Sequence, residues 1–155
     1  MSRGMQWEVD KIGTRTRVSI LGSVDEEADF EPLKARLAKE LQLSFDLAGL
    51  TRINSCGVRE WVNFIRGLAS ASIELEKCSP PFVAQINMIS NFVGSARVRS
   101  IVAEFVCHTC RHEQQFIFDL SNGVPDLSTR RCEKCGQESL EFDDLPEHYL
   151  AFLGT

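Results

Sequence analysis

The sequence DLAGLTRINSCGV, residues 46–58, decides the fold of this chain. It begins inside a predicted short strand, 43–47, which ends at Ala48-Gly49. A helix is predicted over 56–69, because apolar residues recur there at helical spacing: Val58, Trp61, Val62, Ile65, Leu68 and Ala69. A strand, a loop and a helix in this order are typical of the crossover unit of an α/β fold.

The flanking segments continue the alternation of strands and helices. Further strands are predicted at 6–11, 15–21, 73–76 and 97–106, the first two joined by a turn at Gly13-Thr14. Further helices are predicted at 25–41, where Phe30, Leu33, Leu37 and Leu41 share one face, and from Phe82 to Val93 before Gly94. The order β-β-α-β-α-β-α-β predicts an α/β fold with a mixed sheet and helices on one face.

The 46–58 stretch also resembles the STAS family, the fold of bacterial anti-sigma-factor antagonists. That family shows a strand ending in Asp-Leu-Ser-Gly-Leu, a short loop, and then Asp-Ser-Ser-Gly-Leu at the start of a helix. The order of elements over residues 5–105 agrees with the family fold, so the resemblance implies a STAS-like domain at 5–105. Two positions depart from the motif: Asn54 stands where the family commonly has Asp, and Cys56 where it often has Ser.

In the family's regulatory members, a partner kinase that doubles as the anti-sigma factor phosphorylates the first serine after that aspartate. The resemblance therefore makes Ser55 a candidate phosphorylation site. It also implies a partner-binding face at Asn54, Ser55, Cys56, Gly57 and Arg59. The partner would be a kinase-like anti-sigma factor or a related signalling scaffold. STAS domains also serve as cytoplasmic accessory parts of transport complexes. The alternative function is therefore a constitutive structural or accessory subunit of a cytoplasmic or membrane-associated transport complex. From the residues alone, Asn54 or Ser55 can equally be an ordinary helix cap.

Two cysteine pairs follow the last strand, in the pattern C-x2-C, 21 residues, C-x2-C. Four thiolates at this spacing predict a structural zinc site, since four sulfurs leave no open position on the metal. The ligands are expected to be Cys107, Cys110, Cys132 and Cys135. Short strands at 116–118 and 140–142 predict a zinc ribbon over 106–143, and Gly136 suits the turn of the second pair. A redox pair, or His108 or His112 as a ligand, is the less favoured alternative.

Residues after the ribbon, 144–155, are predicted to form a terminal helix that packs on its own chain. It begins with a capping-box pattern, Asp144-Leu145-Pro146-Glu147. The stretch 121–131, SNGVPDLSTRR, is expected to be a mobile loop.

Charge and composition exclude several function classes. The net charge is −5, from +1 over residues 1–102 (13 basic, 12 acidic) and −6 over 103–155 (4 basic, 10 acidic). This acidic balance argues against nucleic acid as a partner. The sequence contains no apolar stretch of about 18 residues that would insert into a membrane, and the first residues lack a signal-peptide core. A cytoplasmic location is therefore expected, in which six cysteines are thiols or metal ligands rather than disulfides.

No catalytic motif accompanies these features. The sequence lacks Walker, Rossmann and nucleophile-elbow patterns. All three histidines lie in the last third of the chain, away from Cys56 at the predicted helix start. The sequence therefore predicts a non-enzymatic binding protein.

Overall fold

The computed structural model describes residues 4–153. Within them the chain is a mixed α/β fold with nine strands and four α-helices. The strands are β1 (Gln6–Ile12), β2 (Arg15–Val24), β3 (Gln42–Asp46), β4 (Leu50–Ile53), β5 (Ser72–Glu76), β6 (Arg97–Val98), β7 (Ser100–Cys107), β8 (Glu113–Asp119) and β9 (Leu140–Phe142). The helices are α1 (Glu31–Arg36), α2 (Ser55–Gly67), α3 (Pro80–Met88) and α4 (Pro146–Tyr149), and a short 3-10 helix follows at Ala151–Leu153.

The larger sheet has the strand order β1-β2-β3-β5-β6, with β4 paired to the last residues of β2. β1 and β2 form an antiparallel hairpin, and its turn uses Gly13 at a φ of +63°. The other pairings in this sheet are parallel, as strands joined by helices require. The predicted mixed sheet is therefore confirmed.

β7 connects the larger sheet to a second sheet with the order β8-β7-β9 and antiparallel pairings. Cys78, just after β5, forms a parallel bridge with Ile101 of β7. The Arg99 N–H donates to the Leu75 carbonyl (2.7 Å), and the Leu120 N–H donates to the Arg99 carbonyl (2.8 Å). β6 and β7 are thus one strand interrupted at Arg99, and β8 lies at the outer edge of an almost continuous sheet.

The core packs against the face of the larger sheet that carries Val18, Ile20, Leu43, Phe45, Ile73 and Leu75. Trp61 of α2 is fully buried there, with its ring edge-on to those of Phe45 and Phe82. Its Nε1–H donates to the Phe92 carbonyl (3.0 Å), which satisfies the one polar atom of the indole. Trp61 is therefore a core residue, which agrees with its place among the apolar residues of the predicted 56–69 helix.

The same buried apolar cluster extends into the second sheet, through Phe105, Cys107, Cys132 and Leu140. β7 itself crosses from the predicted 5–105 domain into the predicted ribbon. The division into 5–105, 106–143 and 144–155 stays a prediction, and the two sheets share one core.

The C-terminal residues pack on their own chain, as predicted. The Tyr149 hydroxyl is buried and donates to the Val102 carbonyl, and the Asn87 amide donates to the Tyr149 carbonyl (2.9 Å). The helical part is shorter than the predicted 144–155, whose last two residues lie outside the described range. The capping box does not form, because Leu145 is the N-cap of α4 and the Asp144 carboxylate accepts the Leu145 N–H instead.

The predicted helix 25–41 is wrong in extent, since only Glu31–Arg36 is α-helical. The Asp25 and Asp29 carboxylates accept the N–H groups of Glu27 and Glu31, each at 3.0 Å. These local side-chain bonds compete with helical hydrogen bonding. Leu41, assigned to the apolar face, is 70% exposed.

Three further differences concern a helix, a strand and a loop. α3 ends at Met88 rather than near Val93, and β4 was not predicted. The 121–131 loop lacks strands and helices, but the structure fixes it at two points. Leu127 is buried, and the Arg130 guanidinium lies over the rings of Phe105, Phe116 and Phe118, 5.0 to 5.4 Å from their centroids.

Candidate functional site

The four predicted cysteine ligands converge at the far end of the second sheet. Cys107 ends β7, Cys110 lies in the turn before β8, and Cys132 and Cys135 lie in the turn before β9. Their four Sγ atoms all lie within 4.8 Å of one another. Cys107 Sγ is 3.6 Å from Cys135 Sγ, and Cys110 Sγ is 3.7 Å from Cys132 Sγ. This arrangement can bind a metal ion.

Each cysteine pair sits in a turn of the same shape. The Arg111 N–H donates to the Cys107 carbonyl, and the Gly136 N–H donates to the Cys132 carbonyl, both at 2.9 Å. The residue after each second cysteine is left-handed, with φ of +66° at Arg111 and +79° at Gly136. Glycine adopts this conformation without strain, so the prediction for Gly136 is confirmed. Arg111 holds the same conformation in the first turn against the preference of a side chain.

Hydrogen-bond donors surround the sulfurs. The backbone N–H of Cys110 lies 3.5 Å from Cys107 Sγ, and that of Lys134 lies 3.4 Å from Cys132 Sγ. The Ser139 hydroxyl lies 3.2 Å from Cys107 Sγ, and this hydrogen bond lowers the pKa of the Cys107 thiol to about 5. At Cys107 the local environment therefore favours the thiolate, which is the metal-binding form. At Cys110 and Cys135, a backbone hydrogen bond that lowers the pKa is outweighed by burial and neighbouring sulfurs, so the pKa of each thiol is raised.

The two histidines near this cluster take no part in it. His108 Nε2 is 2.7 Å from Glu141 Oε1 at the exposed surface, and the group of possible ligands contains the four cysteines alone among the described residues. Ser139 could not be identified from the sequence, because a single serine four residues after Cys135 forms no recognisable motif. Its position is set by β9, which begins at the next residue.

The second predicted site lies at the start of α2, 50 residues earlier in the chain. Asn54 is the N-cap, and its side-chain oxygen accepts the Gly57 N–H (2.9 Å). Its Nδ2 donates to Glu26 Oε1 (2.9 Å), and this hydrogen bond lowers the pKa of Glu26. Asn54 is therefore a helix cap. The sequence leaves open whether Asn54 or Ser55 has this role.

Gly57 lies beneath the predicted partner-binding face rather than on it. Gly57 is buried, and a Cβ added there would lie 1.9 Å from the Val24 carbonyl oxygen. Only glycine lets the first turn of α2 approach the end of β2 so closely. The role of Gly57 is to position the residues around it.

The remaining predicted residues form the surface that we call the Ser55 face: Asn54, Ser55 and Arg59, which are exposed, and the half-buried Cys56. Ser55 is the first residue of α2, and no described side chain covers it. Cys56 is a free thiol, and no histidine in the described part of the chain lies near it in sequence. The Ser55 face presents hydroxyl, amide and guanidinium groups to solvent.

Comparisons with known proteins add no family assignment. A scan against protein-family models and a search of curated proteins both find no match. Within residues 4–153, no helix is both long and apolar enough to cross a membrane.

Proposed function

We propose that this chain is a non-enzymatic regulatory binding protein of the cytoplasm, with a STAS-like domain that engages a protein partner through the Ser55 face. The observation that carries the proposal is an exposed serine, Ser55, in the first turn of a helix whose start is held in a fixed position by the rest of the fold. The Asn54 cap and the close approach of Gly57 to Val24 hold that turn in place. A partner therefore meets a preformed surface, which lowers the ordering cost of binding.

The charge around the Ser55 face indicates the chemistry of the partner. α2 exposes Arg59 and Arg66, Arg52 precedes it on β4, and α2 has no acidic residue in its first turn. None of these three arginines takes part in an ion pair within 4.0 Å among the described residues. The Glu26 carboxylate is hydrogen-bonded to Asn54 and interacts electrostatically with Arg52. The uncompensated positive charge is therefore that of Arg59 and Arg66, which favours a partner with an acidic surface, such as a kinase-like anti-sigma factor or scaffold with carboxylates at its contact site.

Phosphorylation of Ser55 would act on this same electrostatic balance. A phosphate adds between one and a half and two negative charges at the helix start, where the free N–H groups and the helix dipole stabilise it. The same charge would reduce attraction to an acidic partner. The fold thus tolerates the modification while the complex is weakened.

Zinc is the metal that the cysteine cluster fits. Zn–S bonds of about 2.3 Å in a tetrahedron place the sulfurs about 3.8 Å apart, close to the 3.6 and 3.7 Å separations described above. An all-thiolate set favours zinc over hard cations such as Mg²⁺. Cys107, Cys110, Cys132 and Cys135 would hold the ion, and it would stabilise the ribbon rather than take part in catalysis.

One observation favours the alternative function, a constitutive accessory subunit of a transport complex. Asn54 replaces the family's aspartate, and its amide donates to Glu26, a hydrogen bond that an ionised aspartate cannot make. A residue committed to local structure is consistent with a Ser55 face that is never modified. The two functions differ in whether negative charge at Ser55 changes binding.

Ser55→Asp is therefore expected to weaken partner binding by roughly 1–3 kcal/mol, about 5- to 150-fold. Ser55→Ala should bind at least as well as the wild type, because it adds no charge. The measurement is a binding isotherm for each protein, with a partner captured from the native cell on immobilised wild-type chain.

Ser90→Asp is the matched control, since Ser90 is also exposed but lies after α3. Equal affinities for all four proteins would rule out the switch and favour the accessory-subunit function. Absence of any captured partner at physiological salt would count against both functions.

A further inference from the structure

The almost continuous sheet ends in two long edge strands, β1 and β8. β1 carries charged residues at Glu8, Asp10 and Lys11, which is how proteins keep an edge strand from pairing with another chain. β8 has the sequence EQQFIFD, and its five central residues, 114–118, carry no charge and no proline. β8 is therefore the unprotected edge.

The outer side of β8 has no hydrogen-bonding partner among the described residues. On its inner side, β8 pairs with β7 along its whole length, from Glu113 opposite Val106 to Asp119 opposite Ser100. No backbone hydrogen bond outside this ladder involves residues 114–118. In an antiparallel pair, alternate N–H and C=O groups point away from the neighbouring strand. β8 thus offers a row of donors and acceptors that another strand can satisfy.

We infer that β8 pairs with β8 of a second copy of this chain, in an antiparallel arrangement about a two-fold axis at Ile117. This register places Ile117 opposite Ile117 of the other copy. It also places Phe116 opposite Phe118, and Gln115 opposite Asp119. Ile117 is 57% exposed in the single chain, and pairing with its counterpart removes apolar surface from water.

The charges at the ends of β8 favour this register over the one centred on the preceding residue. A two-fold axis at Phe116 would place Glu113 opposite Asp119, and like charges directly opposite each other destabilise an antiparallel pair. An axis at Ile117 instead places the Gln115 amide, a hydrogen-bond donor, opposite Asp119. Because the same segment contributes both sides, the interface closes as a dimer and does not extend into a fibre.

The dimer goes beyond the proposed function and does not depend on it. The Ser55 face lies at the start of α2, and none of its residues belongs to β8. A dimer carries two copies of the Ser55 face, so it would bind a partner with two sites more tightly than a single chain does.

The test is sedimentation velocity on the full chain over about 1–200 μM, a range that suits an interface of modest size. The wild type is expected to show a concentration-dependent monomer–dimer equilibrium. Ile117→Lys should raise the dimer dissociation constant at least tenfold, because it places two lysines opposite each other. Ile12→Lys is the matched control: Ile12 is 52% exposed and ends the other edge strand, so this change should leave the equilibrium as it is.

Hydrogen exchange provides the second readout. Amides within 114–118 should become more protected as wild-type concentration rises, and should not do so in Ile117→Lys. A wild type that is monomeric throughout the range would overturn the inference. So would equal effects of Ile117→Lys and Ile12→Lys, or a dimer whose concentration-dependent protection falls outside β8.

Discussion

Cys132→Ser is expected to abolish stoichiometric metal binding and to unfold the 106–143 segment. Serine is a poor ligand for zinc at neutral pH, and three thiolates leave the tetrahedron open. Structural zinc in small domains contributes roughly 10–16 kcal/mol of apparent binding free energy. Cys132 is itself fully buried in the cluster shared by the two sheets. Few other changes to this chain should cost as much.

Elemental analysis and hydrogen exchange measure the two consequences. The wild type should contain about one zinc per chain and lose it to a strong chelator, with loss of amide protection in 106–143. Residues 5–102 should keep a cooperative unfolding transition of reduced midpoint, because most of the shared buried apolar cluster lies in that part of the chain. Cys56→Ser, which alters a cysteine outside the cluster, should keep its metal. Less than about half an equivalent in wild type purified without chelator would contradict this expectation.

Among substitutions in α2 that add a single methyl group, Gly57→Ala should lower the free energy of unfolding most. The added Cβ would lie 1.9 Å from the Val24 carbonyl oxygen and 2.5 Å from the Val24 carbonyl carbon. Both are backbone atoms, so the helix and β2 must move apart. We expect a loss of about 3 kcal/mol in the free energy of unfolding, at the upper end for overpacking, measured by urea denaturation.

Gly67→Ala is the matched control at the other end of the same helix. The three atoms nearest to its Cβ would all belong to the flexible side chain of Lys34: Cε at 2.9 Å, Nζ at 3.1 Å and Cδ at 3.7 Å. We expect Gly67→Ala to be neutral or stabilising by up to about 1 kcal/mol, since alanine favours helix over glycine. A Gly57→Ala chain as stable as Gly67→Ala would show that the start of α2 does not need glycine.

Sequence patterns predicted the structure best where they depend on burial of apolar side chains or on the spacing of metal ligands. The alternation at 73–76 and the helical spacing of Val58, Trp61 and Ile65 gave elements close to β5 and α2. The cysteine spacing predicted that four residues would come together although 21 residues separate the two pairs, and their sulfurs do lie close to one another. This prediction was possible because each pair forms its own turn. These signals are local, and tertiary packing reinforces them.

The patterns failed where short-range polar contacts or tertiary packing decided the structure. The acidic start of 25–41 suggested a helix, but the Asp25 and Asp29 carboxylates accept the N–H groups of Glu27 and Glu31, and α1 begins only at Glu31. β4 is only four residues long and exposes Thr51 and Arg52, so its alternation is too short to detect. The contact of Arg130 with three phenylalanine rings joins residues far apart in sequence, and composition alone indicated a mobile loop.

The central claim is that the Ser55 face is where this chain meets its partner. Photo-crosslinking in the native cell tests it most directly, with Asn63 replaced by p-benzoylphenylalanine. Asn63 is exposed on α2, one turn beyond Arg59, so the probe borders the face without altering it. We expect a discrete crosslinked adduct from position 63, none from the same probe at Ile12, and less adduct when Ser55→Asp is added. Equal adducts from positions 63 and 12, or none from position 63, would contradict the account.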